Sequence, residues 1–279
     1  MTTVEVNGAS LFYELVGAEN ERTIMLLHGG RGIDDHCDEL RAYQELGDEY
    51  RIVAHDHRGC GLSSLTPPFT FEQLADDVEG MRQTLAGGER IVLMGGSFGG
   101  MIALSYAVKY PQGLTHLVLR GTAPSHAFEP EALENFKARL HKAPNATLGM
   151  VERLFSDRIV DDTELKLIWF ALQPLYFETF DPDAVLESTR TLICHADAHN
   201  ALYVNKDQYD VRDRLPEIDV PTLVIVGAND WICPPSQSKL IAERIPKARL
   251  CLVEGCNHGV HIEANERVLG EIRDFLGAG

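Results

Sequence analysis

Residues 94–100 read Met94-Gly95-Gly96-Ser97-Phe98-Gly99-Gly100, four glycines set around one serine directly after the apolar run Ile91-Val92-Leu93. Within it, Gly95-Gly96-Ser97-Phe98-Gly99 has the spacing G-x-S-x-G. As a bare pentapeptide this also describes ordinary glycine turns. Its meaning comes from context, an apolar strand before it and a helical segment, Met101–Val108, after it. There the serine falls on a sharp, strained turn at the strand end, its hydroxyl presented and not buried, while the glycines let strand and helix approach closely.

The same strand and helix rhythm extends outward. Runs rich in β-branched and aliphatic residues recur at Ile24–Leu27, Ile52–Ala54, Ile91–Met94, Leu117–Leu119, Leu223–Val226 and Leu250–Val253, with helical segments between them. This alternation predicts a parallel sheet with helices on both faces. Val4–Val6 and Leu11–Val16 flank Asn7-Gly8, which predicts an antiparallel hairpin at the sheet edge. Thr70 and Gln73 have capping-box spacing, and Leu74, Val78, Met81 and Leu85 follow at helical spacing up to Gly87-Gly88. The rhythm breaks over 123–217, too long for an ordinary crossover. Helical pieces at Glu131–Leu140, Leu148–Phe155 and Glu164–Leu172, rich in aromatics, predict a helical lid inserted into a core formed by 1–122 and 218–279.

A chain of 279 residues, 44% hydrophobic and 24% charged, is long enough to bury a full core as one large domain. No stretch approaches the roughly 20 apolar residues of a membrane span, and no charged start precedes a long apolar run, so a cytoplasmic protein is expected. Six cysteines, none in a C-x-x-C pair, read as reduced thiols. The formal charge of −17 argues against nucleic acid or an anionic membrane as partner. Such acidity favours an amine-bearing substrate mildly, or serves solubility alone.

A serine hydroxyl becomes nucleophilic when a base removes its proton, and that base needs an orienting carboxylate. In a sheet of this kind the chain order is Ser, then Asp or Glu, then His, each at a strand's C-terminal end. Asp230, in Val226-Gly-Ala-Asn-Asp230, and His258, in Glu254-Gly-Cys-Asn-His258, satisfy both conditions for Ser97. Taken singly, Asp230 would read as a turn aspartate and His258 as a loop histidine; order and position together favour catalysis. Asn229 and His261 are the nearest competitors. For the oxyanion, the N–H of Phe98 is one donor, and Gly30, in Leu27-His28-Gly29-Gly30-Arg31-Gly32, is preferred over Gly29 as the second. A phosphate loop is the rival reading of those glycines, but no Lys-Ser or Lys-Thr follows and the G-x-G-x-x-G spacing is absent.

Together these residues carry a family pattern: the chain resembles the α/β-hydrolase superfamily, and within it the proline iminopeptidase branch. The similar features are His28-Gly-Gly-x-Gly32, Asp56-His-Arg-Gly-Cys-Gly-Leu-Ser63, Gly95-Gly-Ser-Phe-Gly-Gly100 and Leu117-Val-Leu-Arg-Gly121. The resemblance implies an α/β fold with a mostly parallel eight-stranded sheet flanked by helices and an inserted helical lid. It also implies Ser97 as nucleophile, Asp230 as orienting acid, His258 as base, and Gly30 with Phe98 as oxyanion hole. Arg58 is read as structural. The chain departs from the usual H-G-G-P-G by Arg31 and from the usual G-G-S-W-G by Phe98. Peptidases of this branch hold the substrate's ammonium with lid glutamates, where this chain offers His199-Asn200. Lid acids at Glu178, Asp181, Glu187 and Asp197 are the substitutes available, and Gly29, Arg31, Trp169, Tyr176, Glu178 and Glu187 are the candidate substrate contacts.

The expected activity is therefore amide cleavage through an acyl-enzyme on a small molecule or short peptide, with no cofactor or metal. A carboxylesterase or lactonase and a non-enzymatic small-ligand receptor stay open as alternatives, and the oligomeric state is undetermined. A haloalkane dehalogenase is excluded because the elbow carries serine, not aspartate. His195-x-Asp-x-His199 and His55-Asp-His57 have metal-ligand spacing but no third motif member, so they read as hydrogen-bonded or solvated histidines.

Overall fold

The computed structural model describes residues 2–277. Eight strands form one sheet: β1 (Thr3–Val6), β2 (Ala9–Val16), β3 (Thr23–Leu27), β4 (Arg51–His55), β5 (Ile91–Gly96), β6 (Leu114–Arg120), β7 (Thr222–Gly227) and β8 (Ala248–Val253), in the order β1-β2-β4-β3-β5-β6-β7-β8. Every strand expected from the sequence lies inside an observed one. The β1–β2 hairpin sits at the edge. Asn7 and Gly8 both adopt positive φ, 50° and 77°. That geometry matches a tight turn to the strand twist. β2 runs antiparallel to β4, and the remaining pairs are parallel. β3, β5 and β7 are buried at every position, which is why they read as unbroken apolar runs and not as alternating ones.

Helices cover both faces. α1 (Cys37–Tyr43) and the later α11 (Asn265–Gly277) pack on one side, with Tyr43 and Ile272 against Ile24, Ile52 and Ile225. On the other lie α2 (Phe71–Leu85), α3 (Phe98–Lys109) and the later α9 (Pro235–Arg244). α3 is buried almost all round, as its apolar sequence requires. Thr70 caps α2 by accepting the Gln73 N–H (3.1 Å), but the expected capping box is half formed: Gln73 Nε2 donates to Asp77 (2.9 Å). Asp77 draws that donor because it is one side of a buried ion pair, in which Arg58 donates to both its oxygens at 2.7 Å. Arg58 also donates to the carbonyls of Thr66 and Asn7, tying the hairpin, the loop after β4 and α2 together. Arg58→Ala strands the Asp77 carboxylate in the interior. It is expected to cost about 3–5 kcal/mol, read as a lower midpoint in urea denaturation.

Between β6 and β7 the chain forms α4 (Glu129–Arg139), α5 (Leu148–Leu154), α6 (Asp162–Leu172), α7 (Pro182–Thr191) and α8 (Ala196–Val204). The first three match the expected pieces within two residues at each end. Thr147 and Asp161 cap α5 and α6 by accepting N–H groups three residues on. α7 and α8 have no counterpart in the sequence reading: α7 is largely exposed and carries no apolar stripe long enough to read. The inserted helices share an apolar cluster of their own, with Phe136, Leu165 and Leu172, into which Ile33 and Trp231 reach from loops beyond β3 and β7. α10 (Val260–Glu263) follows β8.

Candidate active site

Ser97 stands between β5 and α3 with φ 53° and ψ −119°. This is a strained conformation for a residue with a side chain. Its N–H donates to the Arg120 carbonyl (2.8 Å) and its carbonyl accepts from Thr122 Oγ1 (2.7 Å), so the turn is held from β6 and the residues after it. Gly99 is required by close approach, since a Cβ there would press into the carbonyl oxygens of Leu27 and His28. Phe98 opens α3, where the N–H groups have no intrahelical acceptor and can serve a ligand. Gly30, after β3, adopts φ 71°, and a Cβ on it would collide with the Ile33 carbonyl, while a Cβ on neighbouring Gly29 would lie 3.3 Å from the Ser97 Cβ.

Asp230 and His258 come from the loops after β7 and β8, and Asp230 Oδ2 lies 2.8 Å from His258 Nδ1. The other carboxylate oxygen accepts the N–H groups of Ile232 (3.1 Å) and Cys233 (2.9 Å), which fixes the acid's orientation. With an acid on Nδ1, the imidazole carries its proton there and leaves a lone pair at Nε2. The His258 loop is pinned in turn: its N–H donates to Asn257 Oδ1 (2.9 Å), Arg120 Nη1 donates to its carbonyl (3.2 Å), and Gly259 N–H donates to Tyr176 O (2.9 Å). Arg120 pairs with buried Glu39 beneath the elbow. Of the competitors, Asn229 uses its backbone on Cys256 and Arg139, and buried His261 stacks on Tyr43 without a carboxylate. Burial, with Arg120 and His258 nearby, holds His261 well below the usual histidine range.

Ser97, Phe98, Gly29, Gly30 and His258 line one cavity of about 130 Å³. Its walls are mostly apolar, and the segment between β6 and β7 contributes Phe128, Leu154, Trp169, Tyr176 and Phe177 to them. Trp169 and Tyr176 both line it, with ring centroids 5.1 Å apart and Tyr176 edge-on to His258 at 5.3 Å. Arg31 also lines it.

The two lid glutamates do not. Glu178 accepts from Lys142 (2.9 Å) and from Asn257 Nδ2 (2.9 Å), so it braces the His258 loop from outside. Glu187 is exposed on α7 beside Arg190. The other lid acids are engaged or outward: Asp181 caps α7 and Asp197 is exposed. The carboxylates on the cavity belong instead to Asp34, Asp35, Asp38 and Glu39, in and after the loop following β3. Glu39 is paired with Arg120 and Asp38 with Arg41. Asp34 has no cationic partner among the described residues, adopts φ 77°, and accepts the Asp35 N–H (3.0 Å). Burial, then Asp38 and Asp35, pushes the Asp34 carboxyl well above the usual carboxylate range. Nothing in the linear chain marks these acids beyond the run Asp34-Asp35, three residues past Arg31, which is a signal that could have been weighed.

Of the metal-spaced histidines, two make side-chain contacts to backbone carbonyls, while buried His55 Nδ1 has no hydrogen-bond partner among the described residues. His199 Nδ1 lies 3.1 Å from the Arg31 carbonyl and His57 Nε2 lies 3.0 Å from the His28 carbonyl. The six cysteines are free thiols, five of them buried. No helix of the described residues is long and apolar enough to cross a membrane.

The family model for the alpha/beta hydrolase fold matches residues 22–265. Proline iminopeptidase PfmaB of Pestalotiopsis fici is 45% identical over 98% of this chain and 98% of its own length. The proline iminopeptidase of Lactobacillus helveticus is 26% identical over 96% of this chain and 95% of its own. Among solved structures, a thermophilic esterase from Thermogutta terrifontis, with malate bound, superposes with a TM-score of 0.77 at 27% identity, covering 100% of this chain and 99% of its own. With the sheet order, the elbow and near-full-length similarity in agreement, the chain is a hydrolase that belongs to the α/β hydrolase fold family and is proline iminopeptidase-like.

Proposed function

We propose that the enzyme is an aminopeptidase or amidase that releases a small N-terminal acyl residue through an acyl-enzyme. The observation that carries this reading is the cavity itself, in which Ser97, His258 and the unpaired carboxylate of Asp34 face one small space. A cavity of about 130 Å³ is near the roughly 150 Å³ that accepts benzene, so it suits an acyl part the size of a proline ring. In the proposed course His258 Nε2 takes the Ser97 proton as Oγ bonds to the carbonyl carbon. The resulting oxyanion is met by the N–H groups of Phe98 and Gly30. Collapse breaks the C–N bond, and the leaving amine departs with the proton from His258. Water, deprotonated by His258, then attacks the acyl-enzyme and Ser97 leaves with its proton restored. The substrate ammonium rests on Asp34. Residues 123–217 act as the lid over this space, and the acid anchor comes from the loop after β3, not from the lid.

The sign of the pH dependence follows from Asp34. Its raised pKa means that the carboxyl is protonated when unliganded at low pH, so KM for an amine-bearing substrate should fall as pH rises through that value. The test compares L-prolyl and L-alanyl β-naphthylamides with p-nitrophenyl butyrate. Amide turnover that disappears on N-acetylation, with a KM raised about tenfold or more by Asp34→Asn, is the expected result. The similar esterase makes ester cleavage the second reading. Turnover confined to the ester, and indifferent to Asp34→Asn, would establish that reading instead.

A further inference from the structure

Arg31 is a cation on the cavity that none of the cavity's carboxylates engages in an ion pair among the described residues. It replaces the proline of the resembling motif, and Phe98 replaces the tryptophan; the structure packs these two departures against each other, with the guanidinium carbon 5.4 Å from the centre of the Phe98 ring. It also lies 4.5 Å from the centre of the Tyr203 ring. Its one side-chain hydrogen bond among the described residues is a long, weak one, from Nη2 to Met101 Sδ at 3.5 Å. Among the described residues it makes no ion pair, while the nearby acid, Glu129, is already taken by His126 (2.9 Å) and Lys206 (2.8 Å). The Tyr203 hydroxyl, in a side chain 4% exposed that also lines the cavity, lies within reach of the Arg31 guanidinium and has no other hydrogen-bond partner among the described residues.

A guanidinium held against two rings presents several N–H donors in one plane, the arrangement that receives a carboxylate in bidentate fashion. A protein with a formal charge of −17 has carboxylates to spare, yet none is spent here. The Tyr203 O–H, free to donate even where its oxygen accepts from the guanidinium, adds a third donor to the same acceptor.

We infer that Arg31, with Tyr203, forms an anion subsite that takes a carboxylate of the substrate, so that the substrate class is a carboxylate-bearing amide or ester. The subsite rests on the hydrolase reading of the same cavity. With the Asp34 subsite, it makes the cavity two-signed and suits a zwitterionic short peptide better than an amino-blocked or C-terminally amidated one. The carboxylate can stand on the leaving group, as the free C-terminus of a dipeptide, or on the acyl part, as in a dicarboxylic monoester.

Two matched pairs separate those sources. For the leaving group, release of proline from Pro-Gly is compared with release from Pro-Gly amide; for the acyl part, p-nitrophenyl hydrogen glutarate is compared with p-nitrophenyl valerate. In one pair the charged member should have the higher kcat/KM by about tenfold or more, carried by KM. Arg31→Gln should collapse that ratio and Arg31→Lys should keep part of it, with far-ultraviolet circular dichroism checking the fold of each variant. Which pair shows the preference identifies the source. Equal ratios in the parent and Arg31→Gln for both pairs, or a preference for the neutral members, would overturn the subsite.

If no substrate turns over, the hydrolase reading fails separately, and the subsite is read by binding. Glutarate and Pro-Gly are then titrated calorimetrically into the parent and into Arg31→Gln. Heat of binding in the parent that is lost in the variant supports the subsite; no heat from either probe in the parent refutes it.

Discussion

Ser97→Ala is expected to lower kcat on any acyl substrate by roughly 10⁴- to 10⁶-fold while leaving the melting temperature close to that of the parent. Loss on this scale follows because no other side chain of the elbow turn carries a hydroxyl, and what survives is the contribution of the oxyanion donors and of binding. Stability is retained because the contacts that hold the turn are made by the backbone of Ser97, through its N–H to Arg120 and its carbonyl from Thr122. Alanine has the same Cβ as serine, so the strain of the positive φ at this position is unchanged. The measurement is burst-free steady-state turnover of a chromogenic ester alongside a thermal melt. A folded variant that keeps a tenth of the parent's kcat would remove Ser97 as the nucleophile.

Asp230→Asn should be nearly as costly, about 10³- to 10⁴-fold in kcat, for a different reason. The asparagine oxygen can keep the N–H groups of Ile232 and Cys233, so the loop after β7 stays in place. Its amide nitrogen then faces His258 Nδ1 across the 2.8 Å gap now bridged by a carboxylate. Two donors cannot share that gap, so the imidazole proton moves to Nε2, and a protonated Nε2 cannot accept from Ser97. The side-chain ¹⁵N shifts of His258 report the tautomer directly. A loss below about tenfold with an unchanged tautomer would show that Asp230 orients nothing.

The charge lining of the pocket is where sequence and structure part most. The sequence points to acids of the lid as the hold for a substrate amine, and they are occupied in ways that a linear chain does not display. Asp161 and Asp181 satisfy helix N-termini, Asp162 accepts the Ala196 N–H, and Glu178 ties Lys142 to the His258 loop. Short helices joined by turns consume carboxylates at their ends, because the first N–H groups of each have no other acceptor. Asp34 belongs to no helix end; it lies in the turn after β3 with φ 77°, lines the cavity and has no cationic partner among the described residues.

Much of the rest is readable from the linear chain. Glycine spacing around Ser97, continuous apolar runs and the hairpin at Asn7-Gly8 are local signals, imposed by sterics within a few residues of each position, and so the sheet and the elbow can be derived without coordinates. The same holds for the order of Ser97, Asp230 and His258, since strand ends on a parallel sheet all open at one edge. Which charges face one another there is not local. The pairing of Glu39 on α1 with Arg120 at the end of β6, the approach of Arg31 to Phe98 and to Tyr203 of α8, and the unpaired state of Asp34 each depend on residues far apart in the chain that only the folded sheet, its loops and the inserted helices bring together. Desolvation and Coulomb energy depend on three-dimensional distance, not on separation along the chain. The sequence alone thus determined a hydrolase scaffold with a presented serine; the tertiary structure decided the two-signed lining of its pocket.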